Sequence, residues 1–281
     1  MKFRLPDGII FLVQERMPFM IKDYHIHPQI ITNNELFEKI VDTALANGIE
    51  EICITDHMPL TCSSASDRIP HGKVRDYCRR GRELAEEYSD RISVKLGIEA
   101  DYHPSAIGEL EAVLSEGDFD FVLGSSHLHV FSHLGFFDGK LSYGDYAELM
   151  YENTASAAAS GYFDAIAHVD MYRWIFTKHE RFPLIDDGFC VEDHTASIKE
   201  MLCAIKNNGL RLEINPHFAS HTLDLNKVYP CDLITQAALD MGIKFSFGSD
   251  AHKAEDVGKM LDMLRCHPLY GKAIKTWEED I

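Results

Sequence analysis

Short apolar, β-branched runs alternate along this chain with longer stretches in which apolar residues recur at helical spacing. Seven runs read as strands: 19–26, 51–55, 93–100, 119–125, 163–167, 210–214 and 244–247. Between the first two, Leu36, Phe37, Ile40, Val41, Ala44 and Leu45 fall on one helical face, and Val74, Tyr77, Cys78, Leu84, Ala85 and Tyr88 do so between the second and third. Gly48, Gly161, Gly209 and Gly242 each close a periodic segment ahead of a strand, where a helix C-cap is expected. Such alternation builds β/α units around a mostly parallel sheet, and a chain of 281 residues can close that sheet as one barrel domain. Residues 1–19 precede the first barrel strand as a short extension. Within them an Asp7-Gly8 turn signal before an apolar stretch predicts a strand or hairpin. The least regular stretches, 58–72 and 176–192, are expected to be loops over the barrel mouth. No linker, repeat or low-complexity tract marks a domain boundary.

Charge narrows the partners. Acidic residues outnumber basic ones 45 to 27, and the net charge of -18 repels nucleic acid. A small phosphorylated substrate stays compatible with that balance, because bound metal ions reverse the field locally. The seven cysteines (Cys53, Cys62, Cys78, Cys190, Cys203, Cys231 and Cys266) are scattered and form no C-x-x-C pair, which reads as a reduced, cytoplasmic protein using cysteine as a small core residue. The apolar run at 8–13 is short and followed at once by Gln14, Glu15 and Arg16, so no targeting signal or membrane span is expected.

The chemistry is positional. Polar, metal-capable residues cluster where each expected strand runs into its following loop, the catalytic face of a β/α barrel. The first strand ends in Asp23-Tyr24-His25-Ile26-His27, the second in Thr55-Asp56-His57, and the third in Glu99-Ala100-Asp101-Tyr102-His103. The fourth delivers Ser126-His127-Leu128-His129 and the fifth Ala167-His168-Val169-Asp170. The sixth ends in Glu213-Ile214-Asn215-Pro216-His217 and the seventh in Asp250-Ala251-His252. Alternate strand residues point the same way, so His25 with His27, and Asp250 with His252, can each reach one ion. A lone strand-end histidine is more often a hydrogen-bonded core residue, but seven strand ends repeating the pattern exceed one tetrahedral zinc and suit two or three metals. Glu99, a lone acid in an apolar strand, is costly to bury without a cation. His103, His129, His133 and His217 lie in loops, where a histidine is either solvated or in contact with substrate. His71, His179, His194, His221 and His267 read as surface residues, and Glu278, Glu279 and Asp280 as a solvated tail. Asp23 and Asp56 are expected to orient ligand histidines.

These motifs carry a family resemblance. D-Y-H-I-H at Asp23, T-D-H at Thr55, G-I-E at Gly97, G-S-S-H at Gly124, F-D-A-I-A-H-V-D at Phe163, L-E-I-N at Leu212 and F-G-S-D-A-H at Phe247 run in order over nearly the whole chain after residue 20. In this the chain resembles the polymerase-and-histidinol-phosphatase superfamily, in particular its monofunctional histidinol-phosphate phosphatases. The resemblance implies a distorted seven-stranded β/α barrel of the TIM-like type and a site for two or three divalent metals: zinc, manganese or iron. It implies that His25, His27, Glu99 and Asp250 hold the first metal, His57 and His252 the second, and a bridging Glu99 with His127 and His168 the third. Glu99 and Asp170 are the expected catalytic carboxylates, and Arg173 matches a position that contacts phosphate in similar phosphatases. His103, His129 and His217 are the further candidate substrate contacts. Two positions depart from the pattern. Asn33 stands where similar proteins usually carry a histidine, and Pro216 to His221 replaces a Thr-Ser-Gly-Leu-Arg type loop.

The function implied is hydrolysis of histidinol phosphate in histidine biosynthesis. The alternatives are a phosphoesterase of the same superfamily with another small phosphate, favoured by the altered loop, and a non-catalytic metal-binding protein, suggested by Asn33. Amidohydrolase chemistry would want a metal-bridging lysine at a strand end, and no expected strand ends in one.

Overall fold

The structure is a computed structural model. It describes residues 20–59, 68–127, 141–177 and 184–279, together with the backbone of 2–4 and 10–12. Seven strands form one parallel sheet in sequence order: β3 (Lys22–Ile26), β4 (Glu51–Ile54), β5 (Ser93–Asp101), β6 (Phe121–Ser125), β7 (Ala165–Ile166), β8 (Arg211–Ile214) and β9 (Phe245–Phe247). Each falls within or beside an apolar run expected to be a strand. A bridge between Ile26 and Ala251, with His27 N donating to Ala251 O at 2.9 Å, brings the two edges together and nearly closes the barrel. Ahead of it, β1 (Lys2–Arg4) and β2 (Ile10–Leu12) pair antiparallel as their own two-stranded sheet. The expected hairpin is thus present, while its Asp7-Gly8 turn lies outside the described residues.

Helices follow the strands: α1 (Asn34–Ala46), α2 (Val74–Glu87), α3 (Ile107–Glu116), α4 (Tyr143–Ala159), α5 (Tyr172–Phe176) and α6 (Thr195–Asn207). After β8 come the single-turn α7 (His217–Ser220) and then α8 (Asp232–Asp240), and after β9 come α9 (Leu261–Cys266) and α10 (Tyr270–Glu278). The predicted apolar stripes face inward: Phe37, Ile40, Val41 and Ala44 on α1, and Val74, Tyr77 and Leu84 on α2, are all buried. Gly48, Gly161, Gly209 and Gly242 take φ of 71°, 81°, 70° and 72° beyond the ends of α1, α4, α6 and α8, the left-handed turn that ends a helix and that a Cβ disfavours. Of the two expected loops, residues 60–67 and 178–183 lie outside the described residues. The rest is less irregular than expected, since Arg68 bridges to His57 and Ile185 to Ser142.

Side-chain alternation gives the barrel two layers of apolar packing. Ile52, Ile54, Leu96, Ile98 and Ala100 point outward into the main core beneath the helices. Cys53, Phe121, Leu123, Ala165 and Ala167, with Tyr24 against them, form a smaller interior cluster. Among the described cysteines only Cys53 is a buried core residue. Cys190 and Cys266 are exposed, which corrects the expectation of core cysteines, and no described cysteine is in a disulfide. The acidic tail is also corrected: Glu278 is buried and accepts from Arg265 Nε at 2.6 Å. Asp280 lies outside the described residues.

The end at which the strands begin is covered by Trp277 of α10. Its ring lies 4.8 Å from Tyr24 edge-to-face, and it sits beneath Lys22 (4.9 Å) and Arg211 (4.8 Å), so two cations share one indole. Trp277 Nε1 donates to Lys22 O at 3.3 Å. Trp277→Ala removes this plug, and the expected loss is about 3–5 kcal/mol of unfolding free energy by chemical denaturation.

Candidate metal centre

The opposite end is built around one carboxylate. Glu99 sits on β5, 1% exposed, with imidazole nitrogens on both of its oxygens. His57 Nδ1, His25 Nε2 and His27 Nε2 lie 2.7, 3.4 and 3.5 Å from Oε2, and His168 Nε2 and His127 Nε2 lie 3.1 and 3.4 Å from Oε1. Asp250 Oδ1 closes the other side, 3.3 Å from His27 Nε2 and 3.6 Å from His25 Nε2. Five strand ends, those of β3, β4, β5, β6 and β7, and the loop after β9 thus converge on one volume. All eight residues expected as metal ligands, His25, His27, His57, Glu99, His127, His168, Asp250 and His252, are brought together there.

Local backbone features aim them. The β3–β4 register shifts between Asp23 and Ile26, a bulge in the D-Y-H-I-H segment that turns both His25 and His27 into the barrel. His168 and Asp250 adopt φ of 23° and 55°, backbone that non-glycine residues seldom take and that is concentrated at functional sites. Gly248 leaves room for the centre, since a Cβ there would lie 2.3 Å from both Glu213 Oε1 and His25 Cβ.

The carboxylates that orient these rings are not the ones expected. Asp23 accepts from the backbone N of Ser249 (2.9 Å) and Gly258 (3.0 Å), and Asp56 from Gln29 N (2.8 Å) and Ile30 N (3.1 Å); both hold loops. Ring orientation falls instead to Glu213, whose Oε1 is 2.5 Å from His25 Nδ1, and to Asp101, whose Oδ1 is 2.7 Å from His127 Nδ1. A carboxylate on one ring nitrogen selects the tautomer whose other nitrogen, in the neutral ring, presents its lone pair to the centre. Both acids sit at strand ends beside a recognised motif residue, which was the available signal.

Burial and charge oppose each other here. Burial pushes the Glu99 carboxyl up, but His57, His127 and His25 outweigh it and hold the group well below the usual carboxylate range. His27 is held well below the ordinary imidazole value by burial and then by His57 and His252. His127 goes the other way, since Asp101 and Glu99 overcome its burial and push it up to about 9. His25 Nε2, both ring nitrogens of His27, His57 Nδ1 and Glu99 Oε2 are buried with no aligned hydrogen-bond partner among the described residues. Buried polar atoms left in this way are costly unless something pairs them.

The donor set fits divalent cations. Three-residue groups whose ligand atoms all lie within 4.8 Å of one another are His25, Glu99 and His168; His57, Glu99 and His127; His25, His27 and Asp250; His27, His57 and His252; and His217, Asp250 and His252. Neutral imidazole mixed with carboxylate suits zinc, manganese or iron. Asn33 is exposed, immediately ahead of α1.

A cavity of about 310 Å³ opens onto the cluster, lined by His57, His127, Asp250 and His252 of the centre together with Arg68, Trp174, His217, His221 and Tyr229. Not every expected substrate contact reaches it. Arg173 is committed elsewhere: Nη1 donates to Asp170 Oδ2 (2.9 Å) and Val228 O (2.8 Å), and Nη2 to Asn226 O. Asp170, fully buried, also accepts from Cys231 N at 2.8 Å, and neither residue of the pair lines the cavity. His103 accepts from Ser105 N at the start of a 3-10 turn and is likewise not in the wall. His129, His133 and His179 lie outside the described residues. His221 is exposed, as expected, and also lines the cavity, as does Arg68 from the expected 58–72 loop. His194 pairs with Glu148 at 2.5 Å and His267 accepts from the backbone N of Leu269 and Tyr270, so neither is a simply solvated residue. His71 is exposed, as expected.

Fold and centre together define a β/α barrel built to bind divalent cations at the carboxyl ends of its strands. The chain belongs to the PHP domain family, whose model matches residues 23–217. It is 29% identical over 248 residues to a probable histidinol-phosphatase of Deinococcus radiodurans, covering 84% of this chain and 88% of the relative. It is 27% identical over 266 residues to the histidinol-phosphatase of Bacillus subtilis, covering 84% and 95%. In fold it is similar to a histidinol phosphate phosphatase of Lactococcus lactis solved with zinc, L-histidinol and phosphate. That match has a TM-score of 0.68 at 20% identity and covers 90% of this chain and 93% of that one.

Glu213→Gln weakens the acceptor that fixes His25, and divalent-cation affinity measured by calorimetry is expected to fall by about 10–100-fold. Arg173→Ala leaves Asp170 buried with its charge offset only by the hydrogen bond from Cys231 N. Because the arginine side chain is 20% exposed, the expected loss is about 2–4 kcal/mol of stability, somewhat under the range for a fully buried pair, read by urea denaturation.

Proposed function

We propose that this protein is a metal-dependent phosphomonoesterase that converts L-histidinol phosphate and water to L-histidinol and phosphate, a step of histidine biosynthesis. The observation that carries the reading is the shared wall: His57, His127, Asp250 and His252 belong both to the cation-ligand groups and to the cavity. A small molecule entering there meets the centre directly. The cavity's size suits a metabolite, and the names of the relatives supply the substrate.

His25, His27, His57, Glu99, His127, His168, Asp250 and His252 would hold two or three divalent cations. When bound, these supply the positive charge that offsets the phosphoryl oxygens and the Lewis acidity that lets water attack near neutral pH. The chain's own residues do the rest. Glu99 and Asp250 fix the negative charge of the centre, and Glu213 and Asp101 keep ring nitrogens pointed inward. Arg68, held by Asp101 Oδ2 at 3.0 Å and Met58 O at 2.9 Å, sets a fixed guanidinium in the wall for the phosphate. The departing alkoxide needs a proton, and His221 faces the cavity whereas Asp170 is tied to Arg173 and Cys231 N. Trp174, Phe218 and Tyr229 offer flat surfaces for the rest of the substrate.

A second reading, hydrolysis of a different small phosphate, is favoured by the wall built from Pro216 to His221. Phosphate release from histidinol phosphate beside a panel of phosphomonoesters separates the two. The expected result is a kcat/KM for histidinol phosphate far above the others, lost by a factor of about 1,000 or more in His25→Ala. A different preferred ester, equally dependent on His25, would replace the substrate and keep the chemistry.

A further inference from the structure

We propose that His217, on the turn after β8, is a further ligand of a cation held with Asp250 and His252 where the cavity meets the Glu99 cluster. The inference rests on the reading of this protein as cation-dependent and adds a ligand that the expected metal set does not contain.

The ligand atoms of these three residues lie within 4.8 Å of one another, and all three residues line the cavity. Their presentation is fixed by Asn215, whose Oδ1 accepts from the backbone N of His217 at 2.9 Å and whose Nδ2 donates to Asp250 Oδ2 at 3.2 Å. One amide therefore holds the backbone of the first ligand against the carboxylate of the second. It also satisfies Asp250 Oδ2, leaving Oδ1 turned toward the histidines. His252 Nδ1 lies 3.1 Å from the carbonyl of Asp250, a contact that as a donor leaves Nε2 with its lone pair. That Nε2 faces His57 Nε2 at 3.4 Å, an approach that two N–H groups would resist.

His217 is unused by anything else described. Its Nδ1 is buried with no hydrogen-bond partner among the described residues, although its ring stands edge-on to His221 (5.0 Å) and to His252 (5.7 Å). A ring fixed by its backbone, unpaired at a buried nitrogen and grouped with a carboxylate and a second imidazole, has the chemistry of a ligand for a zinc- or manganese-like cation. Three protein donors leave coordination positions open. Water or a phosphate oxygen in the cavity that these residues line would complete the shell.

The test counts cations and does not depend on turnover. Protein stripped with chelator, saturated with Zn²⁺ and desalted is analysed by elemental mass spectrometry for wild type, His217→Gln and His221→Gln. One equivalent fewer in His217→Gln, with His221→Gln matching wild type, supports the position; equal zinc in all three overturns it. Anomalous scattering from manganese-soaked wild-type crystals reads the same question without a variant, should His217→Gln fail to fold. A peak at coordinating distance from His217, Asp250 and His252 supports the assignment, and peaks confined to the Glu99 cluster overturn it. If wild type holds this cation yet ignores histidinol phosphate, the substrate reading fails and the site stands.

Discussion

The burial of Glu99 is the constraint from which the rest of the structure follows. An ionised carboxylate deep in a barrel is among the most expensive groups a protein can carry unless it is surrounded by compensating charge. Here five imidazoles surround it, and at least two of those rings are steered by carboxylates of their own. The cluster is consequently a network of alternating acid and base in which no member can be removed without stranding another. Cations resolve the conflict better than protons do, because one ion satisfies several lone pairs at once.

Much of this was legible along the chain. The alternation of strand-like and helix-like periods gave the seven β/α units, and the placement of H-x-H, T-D-H and D-A-H at strand ends gave the side chains that converge on the centre, because position on a strand dictates which end of a barrel a side chain reaches. What stayed hidden depends on side-chain direction and on loops. Glu213 and Asp101 looked like Asp23 and Asp56, each an acid near a ligand, and only the β3 bulge and the strand register decide which of the four points at a ring. The spacing of Arg173 from A-H-V-D predicts a phosphate contact. One helical turn instead sets it against Asp170, its i−3 neighbour, where the pair braces the segment 226–231. Arg68 carries no periodic signal at all, since its contacts with Asp101 and Met58 place it.

The two ends of the barrel solve the same problem with different chemistry. Where the strands begin, Lys22 and Arg211 are offset by an indole face and need nothing from outside. Where they end, the charge is left for ions to complete. Stability is thereby concentrated at one end and reactivity at the other, an arrangement that suits a barrel whose function is altered by changing loops.

Asn215 gives that division a limit. Its side chain touches Glu213, Asp250 and the backbone of His217, so the turn that shapes the cavity wall and the acids that organise the centre share one amide. The exposed residues Thr222 and Leu223 can be exchanged without touching that amide. Replacing Asn215 itself would disturb binding preference and ion retention in the same step. The shape of the wall and the hold on ions are therefore coupled through one side chain, whereas the exposed end of the turn is not tied to either.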